Sequence, residues 1–83
     1  MPTVAVVDGI KIQFYFNDHP PPHFHGLIAE HRVMIDIETL EVTRGRLPWT
    51  KQRRVLEWAS SRRDDLLRAW FACQAGEVPE QIQ

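Results

Sequence analysis

Residues 3–16 read TVAVVDGIKIQFYF. The β-branched run Thr3 to Val7 and the alternating run Ile10 to Phe16 flank Asp8-Gly9, a pair favoured in two-residue hairpin turns because both central positions need positive φ. The stretch therefore predicts a β-hairpin. In its second strand Ile10, Ile12, Phe14 and Phe16 leave one face and Lys11, Gln13 and Tyr15 the other, so the first set is expected in the core. Asn17 and Asp18 stop the strand. His19-Pro20-Pro21-Pro22 continues as a stiff, extended loop, since proline removes an amide donor and fixes φ near about −65°.

Working outward, Phe24 to Ala29 and Arg32 to Ile37 read as a second strand pair joined at Glu30-His31, with Val33, Ile35 and Ile37 alternating against Met34, Asp36 and Glu38. Thr39 to Gly45 is polar and reads as a turn or a short additional strand. From Pro48 onward Val55, Leu56, Ala59, Leu66, Leu67, Trp70 and Cys73 return at helical spacing until Gly76 can cap the end. One unbroken helix from Trp49 to Ala75 would be about 40 Å long, more than such a domain is wide. A break is expected at Ser60-Ser61, where a serine N-cap precedes Asp64; a kinked continuous helix would keep the same apolar stripe. The expected fold is α+β: a four-stranded antiparallel β-meander of two hairpins, then two helices or one kinked helix packed on one sheet face. Residues 1–83 form a single domain in this reading.

The composition, 43% hydrophobic and 25% charged over 83 residues, excludes the disordered and disulfide-rich classes. No apolar stretch approaches the roughly 20 residues of a membrane span, and no signal-peptide core is present, so a soluble cytoplasmic protein with no membrane partner is expected. Cys73 is the only cysteine; any metal must be held by imidazole and carboxylate. Charge is unevenly spread. Residues 1–43 set Lys11 and Arg32 against Asp8, Asp18, Glu30, Asp36, Glu38 and Glu41, whereas residues 44–63 set Arg44, Arg46, Lys51, Arg53, Arg54, Arg62 and Arg63 against Glu57 alone. That basic segment is a candidate contact for phosphate or an acidic partner, although an arginine run on a helix is more often a solvated face.

Tyr15 to His25 reads YFNDHPPPHFH, with three of the four histidines inside it. No rule of strands or turns asks for such a cluster. His23 and His25, two apart on a strand, send their rings to the same face about 6 to 7 Å apart, close enough to share one ion. His19 is the third candidate ligand, about 12 Å from His23 if the prolines are extended and nearer if the loop turns. Asp18, Glu30 and His31 are further candidates. Imidazole suits divalent Zn, Ni or Fe, and three ligands leave a coordination position open. The plainer alternative is that His23 and His25 bond backbone groups or stack on Phe24, Phe16 or Tyr15.

The opening MPT, the YFNDHPPPHFH segment, VMIDIE, RGRLP, VLEWA and the late AG together resemble domain-of-unknown-function family 4160 over nearly the whole chain. That resemblance implies a small bacterial protein without an established activity. It also implies a neighbouring gene of the domain-of-unknown-function 2442 type, in an arrangement similar to toxin–antitoxin pairs. Two positions depart from the family's usual pattern: Pro20, and Leu40, where the turn after Glu38 would favour glycine.

Two functions follow as expectations. One is an interaction protein of a two-gene, toxin–antitoxin-like module with a metal at the histidine cluster. Its partner is a second copy or the small operon-encoded protein, with nucleic acid a further candidate. Its contacts fall on Arg44, Arg46, Arg53, Arg54, Trp58 and Arg62. Trp58 lies off the apolar stripe, either exposed as an interface anchor or laid partly on the sheet, and Thr3 to Val7 offers an uncharged sheet edge for pairing. The other is a small metal-dependent hydrolase or nuclease using His19, His23 and His25, with arginines on phosphate; the sequence supplies no clear general base.

Overall fold

Asp8 and Gly9 take φ of 50° and 81°, the left-handed pair that a two-residue hairpin turn requires. They join β1 (Thr3–Val7) to β2 (Ile10–Gln13) in a computed structural model that describes residues 1–83. The chain then forms β3 (His23–Ile28), β4 (His31–Asp36), β5 (Val42–Arg46), α1 (Trp49–Ser60) and α2 (Arg63–Gln74). The strands form one antiparallel sheet in the order β1-β2-β3-β4-β5.

The sheet has five strands where the sequence predicts four. VTRGR carries one aliphatic residue and lies at the sheet edge, half-buried only at Val42, so the apolar alternation that marks a strand is missing. Gly45, paired with Val33, makes the strand possible: its φ is 69°, and a Cβ there would sit 2.2 Å from the carbonyl oxygen of Arg32. Leu40, standing where glycine was expected, takes φ of 60°. Its backbone amide donates to the Asp36 carbonyl, while the Asp36 carboxylate accepts from the amides of Glu38 and Thr39. Strand β2 stops at Gln13 rather than Phe16. Phe14 is buried, but Asn17 turns left-handed (φ 56°) and Phe16 is 42% exposed.

One cluster of 16 buried side chains fills the space between the inner sheet face and the helices. Ile10, Ile12, Phe14, Val33, Ile35, Ile37, Val55, Ala59, Leu66 and Trp70 belong to it as predicted, and Leu56 and Leu67 pack against it partly buried. Val4, Ala5, Phe24, Leu47, Ala69 and Cys73 complete it. Burying each large aliphatic chain stabilises the fold by about 1.5–3 kcal/mol.

The helices divide where the serines stand, but the serines end α1 instead of starting α2. Ser60 Oγ donates to the Glu57 carbonyl and Ser61 Oγ to that of Trp58, while Arg62 occupies the N-cap without a side-chain bond. Gly76 (φ 76°) closes α2: its amide donates to the Cys73 carbonyl and that of Glu77 to Ala72, the pairing of a Schellman cap. The C-terminal segment then returns to the sheet. The Ile82 amide donates to the Val4 carbonyl and the Gln81 side-chain amide to that of Thr3, both at 2.8 Å. Strand β1 is thus an edge strand, as expected, but part of its edge is taken by the chain's own tail. No helix is long and apolar enough to cross a membrane.

Candidate metal centre

Strand β3 begins with His23-Phe24-His25, and its period of two sends Phe24 into the core and both histidines to the outer face. Their ring centroids are 5.1 Å apart, so the same-face expectation holds. His25 stacks on Tyr15 at 4.2 Å, and Trp70 of α2 lies 5.1 Å from the His23 ring. His23 is consequently only 6% exposed.

The third member is Asp18. Asn17 turns the chain back, the Asp18 carboxylate accepts the His19 amide through Oδ1, and Gln74 of α2 donates to the Asp18 carbonyl at 2.9 Å. The carboxylate is thereby fixed with Oδ2 toward both rings, 2.9 Å from His23 Nε2 and 3.2 Å from His25 Nε2. One ligand atom from each of Asp18, His23 and His25 lies within 4.8 Å of the others.

The proton inventory of His23 decides what this arrangement can do. Its Nδ1 lies 2.8 Å from the Pro21 carbonyl oxygen, which can only accept, so Nδ1 carries a proton. A neutral ring then presents a bare lone pair at Nε2 toward a carboxylate oxygen that is also an acceptor. The contact is attractive only if a second proton or a metal cation lies there. An Nδ1–H bonded to a backbone carbonyl with Nε2 turned inward is also how proteins orient a metal-ligating histidine. Burial would push the Asp18 carboxyl up, but the hydrogen bonds from His25 and the His19 amide and the adjoining His23 outweigh it, holding the group below its ordinary value. His25 is lowered as well. Burial disfavours its charged ring, with His23 and Arg32 acting in the same direction, and Asp18 only partly opposes them.

Of the residues proposed from sequence, His23, His25 and Asp18 come together. His19 does not: it is exposed, and its backbone amide rather than its ring faces Asp18, even though the Pro20–Pro21 peptide is cis. His31 stands at the far end of β3–β4 beside Glu30. The basic segment divides over two surfaces. Arg44 and Arg46 lie on β5, whereas Arg53 and Arg54 project from α1 near Glu57 and Asp8. Trp58 is half-buried against the core, its indole N–H donating to the Gln83 carbonyl and the Arg62 guanidinium over its ring. The exposed tryptophan is Trp49, at 72%. Helical periodicity alone misses this, because the tail that covers Trp58 lies outside the repeat.

A family model described as Domain of unknown function (DUF4160) matches residues 9–71, a span that contains Asp18, His23 and His25. No curated protein and no solved structure matches the chain.

Proposed function

We propose that this chain, which belongs to the DUF4160 family, is a small interaction protein that holds one divalent transition metal at Asp18, His23 and His25. The carrying observation is the convergence of His23 Nε2 and His25 Nε2 on Asp18 Oδ2, at 2.9 and 3.2 Å, with the other nitrogen of the His23 ring committed to Pro21. Two imidazoles and one carboxylate suit Zn, Ni or Fe(II) and leave coordination positions for water or a partner's side chain. The protein works in this reading as one component of a toxin–antitoxin-like gene pair. Exposed Val6, Trp49, Phe71 and Val78 are apolar surface for the partner, a second copy or the operon-encoded protein.

The test is elemental analysis and calorimetric titration of protein purified without a histidine tag. About one equivalent is expected, lost in Asp18→Asn and His23→Gln variants whose circular dichroism is unchanged. Metal at about 100 times its Kd should add about 2.7 kcal/mol of stability. Stoichiometry unaffected by Asp18→Asn would refute the assignment. Light scattering with and without the co-expressed neighbour tests the partner.

A metal-dependent hydrolase or nuclease is the second reading, and one observation favours it. Arg44 shares a cross-strand row with His25 through Met34, so an exposed cation that could bind phosphate stands two strands from the site. Metal-dependent cleavage of an oligonucleotide, abolished by Asp18→Asn, would support this reading over the first.

A further inference from the structure

The helices pack on the inner face of the sheet, and the outer face carries, beyond the His23–Asp36 pair at one end, two cross-strand rows. One runs Lys11, Leu27, Arg32, Arg46 and the other Gln13, His25, Met34, Arg44. Lys11, Arg32, Arg44 and Arg46 are all exposed, and none lies within ion-pair distance of a carboxylate. Leu27 and Met34 lie between them, half-buried. The arginines of α1 are placed differently, since Arg53 and Arg54 each have an acidic neighbour. A chain this close to neutrality, with a formal net charge of −1, has therefore concentrated unpaired positive charge on the part of its outer sheet face that the Asp18 loop, Tyr15 and α2 leave open.

We propose that this outer sheet face binds single-stranded nucleic acid, with Lys11, Arg32, Arg44 and Arg46 on backbone phosphates and Leu27 and Met34 as the floor under the bases. From Lys11 to Arg46 the row crosses three strand spacings, about 14 Å, and Arg44 stands about 7 Å from Arg46 along β5. The cations are thus spread over the sheet face and not gathered at one point. A five-stranded sheet face is too broad to enter a duplex groove as a helix or a two-stranded ribbon does, but it can receive unstacked bases against apolar side chains while cations follow the backbone. The binding needs no metal, so it stands apart from the metal reading.

The test is fluorescence anisotropy of a labelled 12-nucleotide oligouridylate with the full chain in EDTA, between 50 and 200 mM salt. Four phosphate contacts predict a log–log salt slope of about −2.8, or about fifty-fold weaker binding across that range. Arg44→Ala and Arg46→Ala should each weaken binding several-fold and flatten the slope by about 0.7, with Arg44→Lys retaining most of the affinity. Arg53→Ala, on α1, should change nothing. The proposal is overturned if the oligonucleotide fails to bind at 50 mM salt, if Arg53→Ala weakens binding as much as Arg44→Ala, or if a duplex of equal length binds as tightly. Binding of polyglutamate or of phosphatidylserine vesicles in place of the oligonucleotide would overturn it equally.

Discussion

Replacing Gly45 by alanine should cost this protein its fifth strand. The added Cβ would lie 2.2 Å from the Arg32 carbonyl oxygen, a backbone atom that cannot swing aside, and φ is 69°. The left-handed conformation alone costs a non-glycine residue about 1–2 kcal/mol. Relieving the clash requires β5 to leave β4 around the Val33–Gly45 pair, which sacrifices about two ladder hydrogen bonds at about 1 kcal/mol each. The total is about 3–4 kcal/mol, and at about 4–8 °C per kcal/mol for a domain of this size Tm should fall by about 12–32 °C. Thermal melts followed by circular dichroism measure it. Hydrogen exchange should show the loss of protection concentrated on β4 and β5, with the β1–β2 hairpin spared. A fall of less than about 8 °C, accountable by backbone strain alone, would refute the claim that close approach to Arg32 demands glycine.

In a metal-free NMR titration the His25 ring should show a midpoint below its ordinary 6.5, because burial outweighs the Asp18 bond. A folded-state value lower than the unfolded one means the neutral ring's contribution to stability is complete above about pH 6.5 and is lost as pH falls toward the lowered midpoint; a midpoint above 6.5 would contradict this. Cys73 is buried and its thiol is pushed up by burial, so a thiol reagent should label it only on unfolding, and prompt native-state labelling would disprove the packing of α2. Deleting residues 81–83 removes the bonds to Thr3, Val4 and Trp58; tryptophan emission should shift to the red, and an unchanged spectrum would show that the tail does not cover Trp58.

How far the sequence could be read depended on whether a local rule covered the residues concerned. Asp8-Gly9 marked its turn because few residues accept positive φ at both positions. The His23 and His25 rings could be set on one face because the strand period is fixed. Asp18 outranked His19 for a reason no period contains: the path of a loop with three prolines is set by tertiary anchors, here Gln74 on the Asp18 carbonyl and Ile37 on that of Pro22. Strand β5 could not be told from a turn, because an edge strand needs little apolar surface. The helix break fell at the serines, but their hydroxyls bond back into α1, so the right position rested on the wrong cap.

The strand order has a kinetic consequence. Every strand pairs with its immediate neighbour in sequence, so each pairing closes only a short loop and the entropy of closure is met in small steps, which growing loop length would raise only logarithmically. The hydrogen bonds that span most of the chain are few and lie elsewhere: the Asp18 loop held by Gln74, and β1 held by Gln81 and Ile82. Assembly is therefore expected to run as a zipper of neighbouring hairpins. The Asp18 loop and the β1 edge acquire their final anchors only when the last third of the chain docks.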